Sequence, residues 1–431
     1  MKTIITSLLL TMSMLSTVCA AESPLPTTAP TAVGLSAERL TRASDFFADQ
    51  ALKEKRTGYV LMVARHGKLA YSSAVGLRDR EQNLPMTLDT RFRIASMTKP
   101  ITTVAVMMLY EEGRFHLDDP VSMYLPEFAH PVVAKGVDSN GQIETVPATH
   151  AITIRHLLTH TSGLGYVFDP KSQLGKEYAS LSMMTPGTLE EKIKLVARTP
   201  LYFEPGTDWR YSYANDVLGR LVEVVGGMPF EQFLQTRIFN PLKMTHTGFY
   251  LTEADLPLVV NVYKHDADGH LIASSNPFAK ATTSHDRWPS GGGGLISTAG
   301  DYIRFAQMLA NGGTFEGKRY LSPVTIKLMT SNQVPADAMF KYWGADSVGL
   351  GYGLGVSVIL DAASSPQADF VGDYSWGGYL DTHWIASPAT GVVAVLLTQL
   401  DPSGETTPAR TDVDFHNLLF AALEDINPTK H

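Results

Sequence analysis

The feature that most constrains this chain is where its strand-like and helix-like patterns fall. Short apolar runs of strand length lie near the start, at 59–64 and 68–72, on either side of a His66-Gly67 turn. They return only in the last third: the alternating set Leu354, Val356, Val358 and Leu360, the segment 374–385, and the run 392–398. Between about 121 and 290 the pattern is helices joined by long loops. Strands at both ends around a helical middle predict an α/β fold (α+β type). One α/β lobe comes from about 35–120 and 291–431, with a mainly helical lobe, about 121–290, inserted. Helical periodicity opens at Ser36, a plausible N-cap, and runs to about Lys55; it resumes from Thr298 to about Ala310 and from Asp412 to Glu424. At 431 residues, 44% hydrophobic and 18% charged, the chain can bury a large core.

Residues 1–21 have the layout of a secretory signal. Lys2 precedes an apolar run from Ile4 to Leu15, and Val18-Cys19-Ala20-Ala21 offers short residues for cleavage. That run is short for a membrane span, and no later stretch approaches the length one needs. The expectation is an exported, periplasmic protein. Residues 22–34, rich in Pro, Thr and Ala, are expected to form a flexible leader. Cys19 is the only cysteine and falls within the signal, so neither disulfides nor thiol chemistry is expected of the processed chain. The net charge of −8 is spread without a basic stripe, which argues against nucleic-acid and anionic-membrane partners.

Ser96 and Lys99 stand three residues apart at the start of an apolar helix marked by Met97, Ile101, Val104 and Met108. Positions i and i+3 share a helix face, so Ser96 Oγ and Lys99 Nζ can meet. Pro100 suits a first helical turn, and the positive end of the helix dipole favours charge developing on the serine oxygen. A serine hydroxyl needs an adjacent base to become a nucleophile, and a lysine serves as one only if its environment lowers its pKa. Ser-x-x-Lys alone is a weak signal, and an ordinary polar start to a core helix explains it more readily.

Other motifs carry less. Asp118-Asp119-Pro120 has the form of a turn, and His66 of a turn residue. His156 and His160 have the i, i+4 spacing of a helical metal pair but lack an evident third ligand, so no metal is expected there. Asp266-Ala267-Asp268-Gly269 lacks the later glutamate of a calcium loop and fits a β-turn. Ser290-Gly291-Gly292-Gly293-Gly294 has no following Lys-Ser or Lys-Thr; a close backbone approach near a cleft is expected instead of a phosphate cradle.

Two further stretches change the weight of Ser96-Met97-Thr98-Lys99. They are Pro205-Gly206-Thr207-Asp208-Trp209-Arg210-Tyr211-Ser212-Tyr213-Ala214-Asn215 and Tyr374-Ser375-Trp376-Gly377-Gly378-Tyr379. In this order and spacing the three resemble the motifs of the serine β-lactamase and penicillin-binding protein superfamily. The resemblance is nearest to the family VIII carboxylesterases, which share the class C β-lactamase fold. It runs from about 35 to 425 and includes the stretch from Leu157 to Leu164 and the glycine run. It implies a β-lactamase/transpeptidase-like domain over 35–431, with an antiparallel sheet flanked by helices and an inserted helical lobe. It also implies Ser96 as the acylated nucleophile, Lys99 in the proton network and Tyr211 as general base or acid. The backbone N–H groups of Ser96 and Tyr379 would form the oxyanion hole, and Gly377 and Gly378 would let substrate lie against the strand edge.

The tyrosine register stays open. Counting from Pro205-Gly206 favours Tyr211, whereas Tyr213-Ala214-Asn215 resembles the Tyr-Ala-Asn of class C β-lactamases and would place Tyr213 and Asn215 at the substrate. The third motif departs from the lactamase pattern: Trp376-Gly377-Gly378 stands where Lys-Thr-Gly or His-Thr-Gly holds a substrate carboxylate. The same triplet occurs in the family VIII esterases. The indole suits a neutral ester, unless Trp376 is merely packed core. The expected activity is hydrolysis of small carboxylic esters through an acyl-enzyme, with no cofactor. The rivals are a class C-like β-lactamase or D-amino-acid peptidase, and a penicillin-binding sensor that acylates without turnover.

Overall fold

The computed structural model describes residues 23–426, apart from 183–184, 280–282, 336–337, 339, 343–344 and 405–409; the expected signal at 1–21 lies outside these. Eight strands form one antiparallel sheet. They are β1 (Gly58–Arg65), β2 (Lys68–Asp79), β3 (Leu84–Pro85), β4 (Leu350–Tyr352), β5 (Ser357–Ile359), β6 (Tyr374–Gly378), β7 (Thr382–Ser387) and β8 (Val392–Leu397), in the spatial order β4-β5-β6-β7-β8-β1-β2-β3. The first strand therefore pairs with the last, Val60 opposite Leu397 and Arg65 opposite Val392.

β1 is buried at all eight positions because both faces of the sheet are covered. Val60, Met62 and Ala64 face the main core, which includes helix α8 (Ala299–Ala310). Tyr59, Leu61 and Val63 face a second cluster with Phe47 of α1 (Ala37–Leu52) and Phe415 of α9 (Thr411–Phe420). A strand covered on both faces loses polar alternation, which explains the continuous apolar run. The β1–β2 turn places His66 at φ 53° and Gly67 at φ 76°, both left-handed as a two-residue hairpin turn requires. Ser36 caps α1, its Oγ accepting from the Arg39 N–H.

The middle of the chain holds α3 (Ile154–Leu158), α4 (Gln173–Ser180), α5 (Leu189–Arg198), α6 (Ala214–Gly226) and α7 (Phe230–Leu234). It also carries two small hairpins, Val132–Val137 with Ile143–Pro147 and Tyr263–His265 with Leu271–Ala273. Between sheet and middle lies α2 (Thr98–Glu111), buried from Thr98 to Leu109 and packed against α6. Phe92–Arg93 pairs with Ile296–Ser297, so the chain enters and leaves this region side by side. No helix among the described residues is long and apolar enough to cross a membrane.

Three expectations need correction. Residues 23–34 are docked: the Thr28 N–H bonds to Leu69 O, the Leu69 N–H bonds to Pro26 O, and Leu25 and Val33 are buried. Two apolar anchors inside a Pro/Thr-rich stretch suffice to seat it on β2. The set from Leu354 to Leu360 is not one strand. Gly355, at φ 78°, turns the chain back so that β4 and β5 pair, and Leu354 and Val356 are buried in the turn. Likewise 374–385 is a hairpin, β6–β7, with Asp381 left-handed at its turn.

Candidate active site

Ser96 lies in a short 3-10 turn, Ala95–Met97, that feeds directly into α2. Ala95, at φ 44°, is left-handed, a conformation that costs a non-glycine residue energy and needs surrounding contacts to hold it. Those contacts are present. The Tyr302 hydroxyl donates to Met97 O at 2.9 Å, and the Leu295 N–H donates to Thr98 Oγ1 at 3.2 Å. One turn on from Ser96, Lys99 is wholly buried and its Nζ donates to Ser96 Oγ at 3.3 Å and to Gly292 O at 2.6 Å. Burial pushes the Lys99 pKa down to about 7, with the Asp216 carboxylate pulling the other way.

Tyr211 arrives from the loop before α6. That loop is tied to the segment after α3: the Arg210 N–H bonds to His160 O, the Gly206 N–H to Thr161 O, and the Tyr213 N–H to Gly165 O. The Tyr211 ring lies 4.4 Å from Lys99 Nζ, which sits over its face, and the Tyr166 ring lies 5.2 Å from the same nitrogen. The Tyr211 hydroxyl is near enough to Ser96 and Trp376 for both to favour its phenolate, though it closes no well-aligned hydrogen bond. Burial outweighs them and raises its pKa.

Tyr213 is placed elsewhere. It precedes the first residue of α6, is fully buried among Tyr166 and Tyr178, and directs its hydroxyl towards Tyr178 O. Asn215 is also buried, with its amide towards Lys99 O. Neither is brought to Ser96 as the Tyr-Ala-Asn register would require.

The third motif forms β6. A Cβ on Gly378 would stand 2.2 Å from Thr382 Oγ1 and 2.5 Å from Ile94 O, so only glycine permits this approach. The contact seats the end of β6, and Tyr379 after it, against the turn that carries Ser96. Trp376 is buried and does two things: it packs on Tyr352 (centroids 5.2 Å apart) and faces Tyr211 at 5.9 Å. Phe168, half exposed, stacks on Tyr379 at 5.6 Å and lies parallel to Tyr211 at 6.4 Å, so aromatic rings wall the space beside Ser96.

His156 and His160 do not form a metal pair. His156 Nδ1 accepts from the Thr153 N–H as part of the α3 capping box. His160 lies beyond α3 with φ 57°, its Nδ1 paired with Ser212 Oγ at 2.9 Å and its ring 4.8 Å from that of Tyr211. Burial, reinforced by Lys99, holds its pKa well below the ordinary histidine value, so it packs as a neutral ring. Sequence reasoning missed Tyr166, Phe168, the Gly292 carbonyl and Asp216. Of these, only the glycine run had left a signal, as a close backbone approach; Asp216 shares its helix face by spacing with Arg220 and Glu223 and reads as an ordinary first-turn acid.

An antiparallel sheet, an inserted helical region and a Ser-x-x-Lys helix start beneath them define the β-lactamase/transpeptidase-like fold. The chain belongs to the Beta-lactamase family, whose profile matches residues 43–418. Esterase EstB of Burkholderia gladioli is 35% identical over 410 residues, covering 88% of this chain and 95% of its own. Among solved structures, EstCE1, described as a hydrolase with promiscuous acyltransferase activity, superposes with a TM-score of 0.74 at 30% identity, covering 89% of this chain and 99% of its own. Simvastatin synthase (LovD) from Aspergillus terreus also gives 0.74, at 26% identity over 90% and 99% of the two chains.

Proposed function

We propose that this protein is an exported serine carboxylesterase that works through an acyl-enzyme on Ser96. The observation that carries the proposal is the buried Lys99, held 3.3 Å from Ser96 Oγ with a pKa near 7. A lysine poised there is neutral often enough to take the Ser96 proton as Oγ bonds to the ester carbonyl carbon. Tyr211, whose phenol stays protonated, stands between Ser96 and Trp376 and is suited to pass a proton to the departing alcohol. The N–H groups of Ser96 and Tyr379 would receive the oxyanion. Water then attacks the acyl group and releases the acid. The names of EstB and EstCE1 support ester hydrolysis. So does Trp376, which offers an apolar wall where lactamases hold a carboxylate.

A second outcome, acyl transfer to an alcohol, is favoured by the rings of Tyr166, Phe168, Tyr211, Trp376 and Tyr379, which give an alcohol an apolar seat beside the acyl-enzyme. The name of EstCE1 records a promiscuous acyltransferase activity, with no acceptor named, in a protein of the same fold.

The test is turnover of a short-chain p-nitrophenyl ester and a chromogenic cephalosporin, with and without added alcohol, beside Ser96→Ala. The expected result is steady ester turnover, little lactam hydrolysis, and loss of both in a folded mutant. A preference for the cephalosporin would return the assignment to a β-lactamase. A single burst without turnover would make the protein a penicillin-binding sensor, and activity surviving in Ser96→Ala would remove the nucleophile. Export is checked by finding the chain in the periplasm with residues 1–21 removed.

A further inference from the structure

Lys99 is not the only ionisable group sealed beneath Ser96. Asp216, on the first turn of α6, is fully buried. Its Oδ1 accepts from Ser290 Oγ at 2.5 Å and from the Gly292 N–H at 3.0 Å, while its Oδ2 has no hydrogen-bond partner among the described residues. The same Gly292 residue offers its carbonyl to Lys99 Nζ at 2.6 Å. One glycine thus links carboxylate and amine, and nothing larger fits, because a Cβ on Gly292 would lie 2.6 Å from Asp216 Oδ2. Buried acids are normally satisfied at both oxygens or replaced by apolar groups, so a half-satisfied one joined to a buried amine through a single peptide invites a functional account.

We propose that Asp216 is a positioning residue for the proposed acyl transfer: it fixes the Gly292 peptide that aims Lys99 at Ser96, and it supplies the negative charge that receives the Lys99 ammonium. In the acylation step Lys99 takes the Ser96 proton while the Oγ–carbon bond forms. The ammonium so created is linked to the Asp216 carboxyl through the Gly292 peptide, and it returns the proton by way of Tyr211 as the ester C–O bond breaks and the alcohol leaves. The other groups around this pair are weak competitors for that role. Lys99 faces the neutral rings of Tyr166 and Tyr211, and the field of His160. Asp216 faces Lys99, Tyr166, Tyr211 and Tyr213. The two groups shift each other in the sense expected: Asp216 raises the lysine's affinity for a proton, and Lys99 lowers that of the acid, whose pKa burial otherwise raises.

The proposal rests on Lys99 acting as the base, so the test reads Lys99 with and without catalysis. Lysine and aspartate labelled with carbon-13 report the Lys99 Cε and Asp216 Cγ shifts against pH, alongside the pH profile of kcat/KM. Asp216→Asn keeps an acceptor for Ser290 and Gly292 but removes the charge. The expected result is a Lys99 midpoint lowered by about one pH unit or more, with the acid limb of kcat/KM following it. Ser290→Ala, which removes one hydrogen bond and leaves the charge, should move neither. An unmoved midpoint in Asp216→Asn, or an equal shift in Ser290→Ala, overturns the proposal. If Asp216→Asn does not fold, the wild type decides: the Asp216 signal must respond across the Lys99 step, and silence there overturns the proposal. If the lysine midpoint moves while the activity limb stays, the base assignment fails and the charge coupling stands.

Discussion

At the scale of single residues, the site depends on a lysine kept in a place that disfavours its charge. In an unfolded chain Lys99 would titrate near about 10.4, whereas in the fold it titrates near 7. Between these values the unfolded chain binds the additional proton, so folding stability falls as pH drops from about 10 to 7 and this contribution levels off below. Activity moves through the lower value in the same sense. We expect kcat/KM for a neutral ester to rise about tenfold per pH unit on the acid side and to flatten above about pH 7. An initial-rate series from pH 5 to 9 checks this, and a limb below about pH 5 would assign the titration to a carboxylate instead. The tyrosine question was not legible at this scale. Tyr211 and Tyr213 both precede α6, and what separates them is packing: Tyr213 is buried among Tyr166 and Tyr178, which arrive from distant parts of the chain, whereas Tyr211 lies over Lys99.

At the scale of elements, the β6–β7 hairpin has to stay fixed because it carries Gly378 and Tyr379. Its turn is anchored by Asp381, which lies in a buried cluster with the Arg56 guanidinium, His383 Nε2 at 2.8 Å and Thr411 Oγ1 at 3.0 Å. Burial alone would raise the Asp381 pKa, but Arg56 and His383 outweigh it and hold the carboxyl well below the usual range. The cluster's contribution to stability is therefore present above about pH 4 and is lost as acid protonates Asp381. Replacing Arg56 with Met leaves that carboxylate buried without its main countercharge and should cost about 3–5 kcal/mol in urea unfolding at pH 7. A cost under about 1 kcal/mol would mean the cluster behaves as a surface pair. Local patterns announced most elements: the Ser36 cap, the His66-Gly67 turn and the Ser96 helix all follow from residues a few positions apart. The Asp381 cluster joins residues more than three hundred positions apart, and the Asp216–Gly292 link more than seventy. No spacing rule reaches that far. The strand expected over 374–385 failed for a related reason: its apolar residues are buried in a hairpin, and burial alone does not distinguish one strand from two.

For the whole molecule, segments near the two ends of the described residues meet at Arg65. This fully buried guanidinium donates to Val33 O, Gly34 O and Thr390 O, and to Asp425 through both its backbone oxygen and Oδ1. It joins the segment before α1, the β7–β8 connection and the stretch after α9. Replacing Arg65 with Met strands several buried acceptors, each worth about 1–3 kcal/mol. We expect a loss of about 3 kcal/mol or more, a single melting transition and little change in kcat. A melt split into two steps would show instead that the chain ends unfold separately from the sheet.

The pairing of Phe92–Arg93 with Ile296–Ser297, with the Ile94 N–H bonded to Leu295 O, has a consequence for how such a molecule can diversify. Everything from Ser96 to Leu295 leaves and rejoins the frame at neighbouring points, like a cassette clipped in by its two ends. That cassette holds Ser96, Lys99, Phe168, Tyr211, Asp216 and Gly292 together, whereas Trp376 and Tyr379 stay with the frame. Exchange of the whole segment between relatives would carry the proton machinery intact and change the walls around the substrate, without cutting a strand of the main sheet.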